Sequence, residues 1–273
     1  MQEQNPICPC KETFKWEGNP SGQSSSFAGF DSYITDKSLV KSTDAVILYI
    51  HDAMGWKFGN GRLLADAYAF ETGLQVIMPD LFNGALWCSA SAKECILQGK
   101  PLAEDDAQFS HCTVNDKLVW GEEFRANIVQ EDVVQRLETI IGALREQYPN
   151  AKIFSTGFCW GGKYSTMTGI LGLVDAFATH HPTGSKTLDL TGIKIPGIFN
   201  ISDDDISPDG QFPQTLIDTV QALVSPPQEL YVYENMFHGF TSRGNPETPL
   251  VMEAQILALN RTVTFFLSQL ATK

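Results

Sequence analysis

An α/β fold, with a mostly parallel, doubly wound sheet and helices on both of its faces, is predicted by two features of this sequence. Short apolar runs suited to strands alternate with longer amphipathic stretches suited to helices along nearly the whole chain. One of those runs, residues 152–156, leads through Gly157-Phe158-Cys159-Trp160-Gly161-Gly162 into a stretch that can be helical. A strand, a sharp turn and a helix in succession form part of the unit from which parallel sheets are built.

Taken in order, residues 1–30 are rich in Gly, Ser, Pro and Asn and are expected to form an irregular arm ahead of one domain over 31–273. Strands are expected at 33–35, 45–50, 75–78, 152–156, 176–179, 195–201 and 229–233. Helices are expected between and after them at 62–71, 123–147, 162–172, 212–223 and 250–267. The second of these has the clearest basis. Ile128, Val133, Val134, Leu137, Ile140, Ile141 and Leu144 recur at helical spacing, and Tyr148-Pro149-Asn150 ends the run. One excursion, at about 82–122, breaks the rhythm with about forty residues that include Trp87, Trp120, His111, Cys88, Cys95 and Cys112. Such an insertion at this end of a sheet is expected to act as a lid over the pocket. For any single residue within it, His111 included, the plainer expectation is packing in a covering flap.

At 273 residues and 30.1 kDa the chain can bury a large core in a single domain. Its formal net charge of -13 argues against a nucleic-acid partner or an anionic membrane, either of which would call for Lys and Arg in excess. No run reaches the eighteen or so apolar residues of a membrane span. Met1-Gln2-Glu3-Gln4-Asn5 lacks the basic and apolar regions of a signal peptide, so a cytoplasmic, or also nuclear, location is the expectation. Six cysteines at irregular positions fit free thiols rather than a disulfide framework. Cys8-Pro9-Cys10 offers two sulfurs without a second ligand pair and is read as a loop, with a redox or metal role as the lesser alternative. Oligomeric state is not encoded in any pattern found here.

Chemistry concentrates at Cys159. A nucleophile at the apex of a strand-to-helix turn needs small residues two positions either side, because strand and helix nearly touch there; Gly157 and Gly161 supply them. The spacing is that of the G-x-S-x-G elbow of α/β hydrolases with cysteine in place of serine. The helix behind the sulfur aims its amides and partial positive charge at it, which favours the thiolate. A buried cysteine beside a glycine turn would look similar in isolation. Two more loops past strand ends distinguish the cases: Ser202-Asp203-Asp204-Asp205-Ile206-Ser207-Pro208 carries acids, and Asn235-Met236-Phe237-His238-Gly239-Phe240 carries a histidine. Their order, nucleophile then acid then histidine, is the one this fold uses. The end of the strand at 45–50, in Ile50-His51-Asp52-Ala53-Met54-Gly55, is where a second oxyanion-hole amide belongs. The backbone N–H groups of Ala53 and Trp160 are therefore the expected donors. His180-His181-Pro182 precedes the acid loop and so falls out of order for the base; His181 is expected in the pocket wall.

Gly-Phe-Cys-Trp-Gly-Gly, the Asp-rich loop closed by Pro208 and His-Gly-Phe followed by Arg243 together resemble the dienelactone hydrolase (carboxymethylenebutenolidase) family of cysteine α/β hydrolases, over roughly residue 30 to the C-terminus. The resemblance implies an α/β-hydrolase fold and a Cys159, Asp204, His238 triad acting on esters or lactones without a cofactor or metal. Asp204 is implied because the family's acid stands four residues before the loop proline. Asp203 and Asp205 are then capping or solvated residues, and a register one residue off would exchange the roles. A family glutamate that contacts the resting thiol is matched by Asp52, which is one methylene shorter and could equally cap the following turn. Arg243 resembles the arginine that holds a substrate carboxylate, and the family's second such arginine has no match here. The expected enzyme is a carboxylic ester hydrolase with a small-molecule substrate. The alternatives are an acyl thioesterase, a redox enzyme, which the lack of a C-x-x-C at Cys159 disfavours, and a non-catalytic protein that binds a small molecule.

Overall fold

The computed structural model describes residues 14–84, 128–183, 188–204, 213–223 and 225–271. Eight strands form one sheet: β1 (Gln23–Phe27), β2 (Phe30–Ile34), β3 (Ala45–Ile50), β4 (Gln75–Pro79), β5 (Lys152–Phe158), β6 (Ala176–His180), β7 (Gly197–Asp204) and β8 (Gln228–Phe237). They lie in the order β1-β2-β4-β3-β5-β6-β7-β8. Pairing is parallel from β4 to β8 and antiparallel at β1 and β2. The described helices are α1 (Gly59–Thr72), α2 (Gln130–Gln147), α3 (Trp160–Leu171), α4 (Pro213–Ala222), α5 (Phe240–Arg243) and α6 (Pro249–Ala271).

Strand β3 shows why both faces are covered. All six of its residues are buried, as expected of a central parallel strand. Because successive side chains point to opposite faces, Val46, Leu48 and Ile50 join one apolar cluster while Ala45, Ile47 and Tyr49 join another. The first cluster is roofed by α2 through Val133, Leu137, Ile140, Ile141 and Leu144, the helical stripe legible in the sequence. The second is floored by α1 and α6 through Leu64, Ala65, Tyr68, Phe265 and Phe266. Helix α6 is long and apolar enough to cross a membrane by length and composition, yet it buries Val251, Ala254, Ala258, Thr262, Val263, Phe265 and Phe266 in this fold.

Two expectations need correction. The arm over 1–30 is not irregular throughout, for β1 occupies Gln23–Phe27. Its Gln-Ser-Ser-Ser run carries no apolar alternation because four of its five residues are exposed at the sheet's edge. What makes it a strand is the hairpin to β2, closed by Ala28 and Gly29 at φ 52° and 85°, a pair of positive values that matches strand twist. The helix expected from 123 begins, within the described residues, at Gln130; Val129 is extended and Ile128 packs on the core from outside the helix. Glu131 and Asp132 in the first turn complement the helix's positive end there. The Cys8-Pro9-Cys10 segment, and almost all of the expected lid, lie outside the described residues.

Candidate active site

The parallel strands bring their carboxyl ends to one edge, and the elbow stands at its centre. Cys159 takes φ 54° and ψ -115°, a conformation that costs a non-glycine residue about 1–3 kcal/mol. The surroundings leave it no alternative. A Cβ on Gly157 would fall 2.2 Å from the Gly161 carbonyl oxygen, and one on Gly161 would fall 2.2 Å from that of Ile50. Strand β5, helix α3 and the end of β3 are thus in backbone contact. The Cys159 amide donates to His180 O at 3.0 Å, tying the apex to the end of β6 as well.

His238 arrives from β8 by a less regular route. Between the pairs Ser202↔Tyr233 and Asp204↔Phe237 the register slips, because β8 spends two extra residues in a bulge. Asn235 lies at φ 58°, and the amides of Asn235 and Met236 donate to the two carboxylate oxygens of Asp203 at 2.9 and 3.2 Å. Asp203 is therefore a capping residue, as the count from Pro208 implied; Asp205 and Pro208 lie outside the described residues. The backbone of Asp204 pairs with Phe237, one residue before His238, so acid and histidine positions are carried on adjacent strand ends.

Cys159 Sγ and His238 Nε2 lie 3.0 Å apart although 79 residues separate them in sequence. Burial pushes the Cys159 thiol up, but the His238 charge, the hydrogen bond from it and the charge of Arg243 outweigh burial and the opposing Asp52, bringing it down to about 6. A third group joins the pair: Thr183 Oγ1 is 3.5 Å from Sγ and 3.2 Å from Nε2. The two amides expected to bind an oxyanion, those of Ala53 and Trp160, have no acceptor among the described residues. His51, beside them, accepts from Leu81 N at Nε2 and so carries its proton on Nδ1, 2.8 Å from Asp52 O. Burial pulls its pKa down and keeps it neutral.

Asp52 has other engagements than the sulfur. It accepts from Met54 N at 2.8 Å, the turn-capping bond weighed against thiol gating, and from Ser242 Oγ at 3.1 Å. Arg243 Nη1 is 3.5 Å from the same carboxylate, in a pair that is almost wholly buried. Gly239 makes room for that arginine, for a Cβ there would stand 2.5 Å from the guanidinium carbon. His181 is buried in a T-shaped ring pair with His238, centroids 5.1 Å apart and ring planes at 72°, and its Nε2 lies 2.6 Å from Thr241 Oγ1. Its contacts therefore back the histidine. Burial, then the charges of His238 and Arg243, hold His181 far below the usual range, so it stays neutral. Sequence reasoning missed Thr183, Thr241 and Ser242. Thr183 stands only two residues beyond His181, and no spacing rule marks it.

The sequence model of the dienelactone hydrolase family matches residues 30–270. Among similar proteins, the hydrolase tropI of Talaromyces stipitatus is 29% identical over 258 residues, 94% of each chain. A carboxymethylenebutenolidase homolog of Xenopus tropicalis is 28% identical over 156 residues, covering 57% of this chain and 52% of that one. Among solved structures, the dienelactone hydrolase of Anabaena variabilis superposes with a TM-score of 0.56 at 13% identity, covering 87% of this chain and 94% of that one. XC6422 of Xanthomonas campestris, described as an α/β serine hydrolase without a lid, gives 0.56 at 13% identity over 91% and 96%. These structures share the fold; the elbow here carries sulfur where a serine hydrolase carries a hydroxyl.

Proposed function

Since the chain belongs to the dienelactone hydrolase family, we propose that it hydrolyses small carboxylic esters or lactones through an acyl-cysteine intermediate, with Cys159 as nucleophile, His238 as base and Asp204 as the acid that orients it. The observation that carries this reading is the 3.0 Å approach of Sγ to Nε2, made by a thiol whose pKa is brought down to about 6.

The thiol proton passes to His238 Nε2, leaving a thiolate. Sulfur attacks the carbonyl carbon; an S–C bond forms and the carbonyl π pair moves onto oxygen, where the Ala53 and Trp160 amides receive it. Each such donor is typically worth about 3–4 kcal/mol at the transition state. The ester C–O bond then breaks and the departing oxygen takes the proton from Nε2. Water next attacks the acyl carbon, giving its proton to Nε2, and the C–S bond breaks with its electron pair returning to sulfur. Because thiolate is readily expelled from the tetrahedral intermediate, activated acyl groups such as enol esters and lactones suit it better than amides. Arg243, already facing Asp52, keeps positive charge near the sulfur, and His181 supports His238 from behind. Asp52 is bonded to Met54 N, Ser242 Oγ and Arg243 Nη1, so any part it takes in gating is coupled to the Ser242–Arg243 segment.

The test is turnover of p-nitrophenyl acetate and of an enol lactone by the wild type and by Cys159→Ala. A fall of at least about a thousandfold is expected in the variant. Equal rates in the two proteins end the reading.

A further inference from the structure

We infer that Thr183 is a further catalytic residue, whose hydroxyl bonds to both Cys159 and His238 and holds the thiolate and imidazolium together as a pair. The inference rests on the nucleophile and base assigned above. Three distances define it: 3.0 Å from Sγ to Nε2, 3.5 Å from Sγ to Oγ1 and 3.2 Å from Oγ1 to Nε2. A threonine hydroxyl is at once a donor and an acceptor. Facing a charged pair it can use both capacities, giving its proton to the sulfur anion while its lone pair accepts from the protonated ring. Facing a neutral thiol and imidazole it gains much less, because hydrogen bonds to charged groups are the stronger ones.

The hydroxyl is mounted rigidly. Thr183 N donates to Cys159 O at 3.0 Å, so the hydroxyl is carried on a residue bonded to the nucleophile's own peptide. Segment 180–183 closes around the elbow at two points, since Cys159 N in turn donates to His180 O. The second glycine after Trp160 permits that closure. A Cβ on Gly162 would lie 3.0 Å from Pro182 Cα and 2.9 Å from Thr179 Oγ1, pushing away the turn that presents Thr183. The elbow's need for small residues is met at Gly157 and Gly161; Gly162 serves this third contact.

In the reaction the hydroxyl acts twice. It donates to sulfur when the thiol proton moves to Nε2, and again in deacylation when the C–S bond breaks and the electron pair returns to sulfur. Between those steps the sulfur is a neutral thioester, and the hydroxyl bonds mainly to the ring. Its loss should therefore narrow the pH window of the ion pair from both sides, raising the thiol's pKa and lowering that of the imidazolium.

The experiment compares wild type, Thr183→Val, which swaps the hydroxyl for a methyl of similar shape, and Thr183→Ser, which keeps it. Iodoacetamide alkylation of Cys159 is followed across pH, and p-nitrophenyl acetate turnover is measured beside it. In Thr183→Val the alkylation half-point should move up by roughly one pH unit and kcat/KM fall about tenfold, with Thr183→Ser close to wild type in both. A Thr183→Val protein with wild-type half-point and turnover overturns the inference while leaving Cys159 and His238 in their roles. A Thr183→Ser protein as impaired as Thr183→Val also overturns it, for shape rather than the hydroxyl would then matter. Full ester turnover by Cys159→Ala removes the nucleophile itself, and this inference with it. Thermal melting accompanies each variant, and Thr183→Ala replaces Thr183→Val if the latter does not fold.

Discussion

At the end of β5 the chain is held by backbone against backbone, with glycines admitting contacts of 2.2 Å from a would-be Cβ to carbonyl oxygens. At the end of β8 it is held by a carboxylate, Asp203, which occupies the amides freed by a bulge. Cys159 is thus fixed by excluded volume and His238 by hydrogen bonds. Excluded volume offers no small adjustment, whereas hydrogen bonds at a partly exposed bulge can be remade. The sulfur stays where it is put, and His238 has the less rigid mounting of the two.

The comparison breaks most decisively at Gly161. Gly161→Ala would set a methyl against the backbone of Ile50 and His51, which cannot yield as a side chain can, and is expected to cost about 3–5 kcal/mol or prevent folding. Urea unfolding measures it; a stability within about 0.5 kcal/mol of wild type would mean that the two strand ends are not locked by contact. A smaller effect is expected at the other end. Asp203→Ala strips two amides of their acceptor and should cost about 1–2 kcal/mol, with ester turnover falling severalfold, while Asp203→Asn keeps part of both. Unchanged turnover in Asp203→Ala would show that the histidine is held by something other than the bulge.

The difference also explains which parts of the site were legible in the sequence. Excluded volume writes itself as glycine at fixed spacing, so Gly157, Cys159 and Gly161 announced the elbow. The apolar runs announced the parallel strands because β3 to β6 are buried on both faces. A bulge has no such signature: Asn235 and Asp203 are ordinary loop residues until the slipped register brings them together. Thr183 escaped for the same reason, its bonds reaching 24 and 55 residues along the chain. The strand β1 was missed because an exposed serine run becomes extended only when Ala28-Gly29 turns it back on β2.

An effect that is nil at neutral pH and grows only in acid is expected between these two ends, where β6 stops. His180 is stacked on Phe158 at 4.3 Å, and burial lowers its pKa from the ordinary 6.5 to about 3. Its folded form is neutral, while the unfolded chain takes up a proton below pH 6.5. The stability this neutrality contributes is present above 6.5 and is lost as pH falls toward 3, at up to about 1.4 kcal/mol per pH unit. Urea midpoints measured from pH 7 to 4 should therefore fall less steeply in His180→Gln than in wild type. Parallel slopes would place the charging of the acid-treated molecule elsewhere.

The two margins of the sheet share a property that the centre lacks. Gln23 to Ser26 leave β1 with polar, solvent-facing side chains, and β8 is interrupted by its bulge and carries exposed Glu229 and Glu234. Neither margin is the flat, greasy ribbon on which another polypeptide extends a sheet. The bulge and the charges on β8, and the polar face of β1, thus leave another polypeptide little apolar surface on which to extend the sheet.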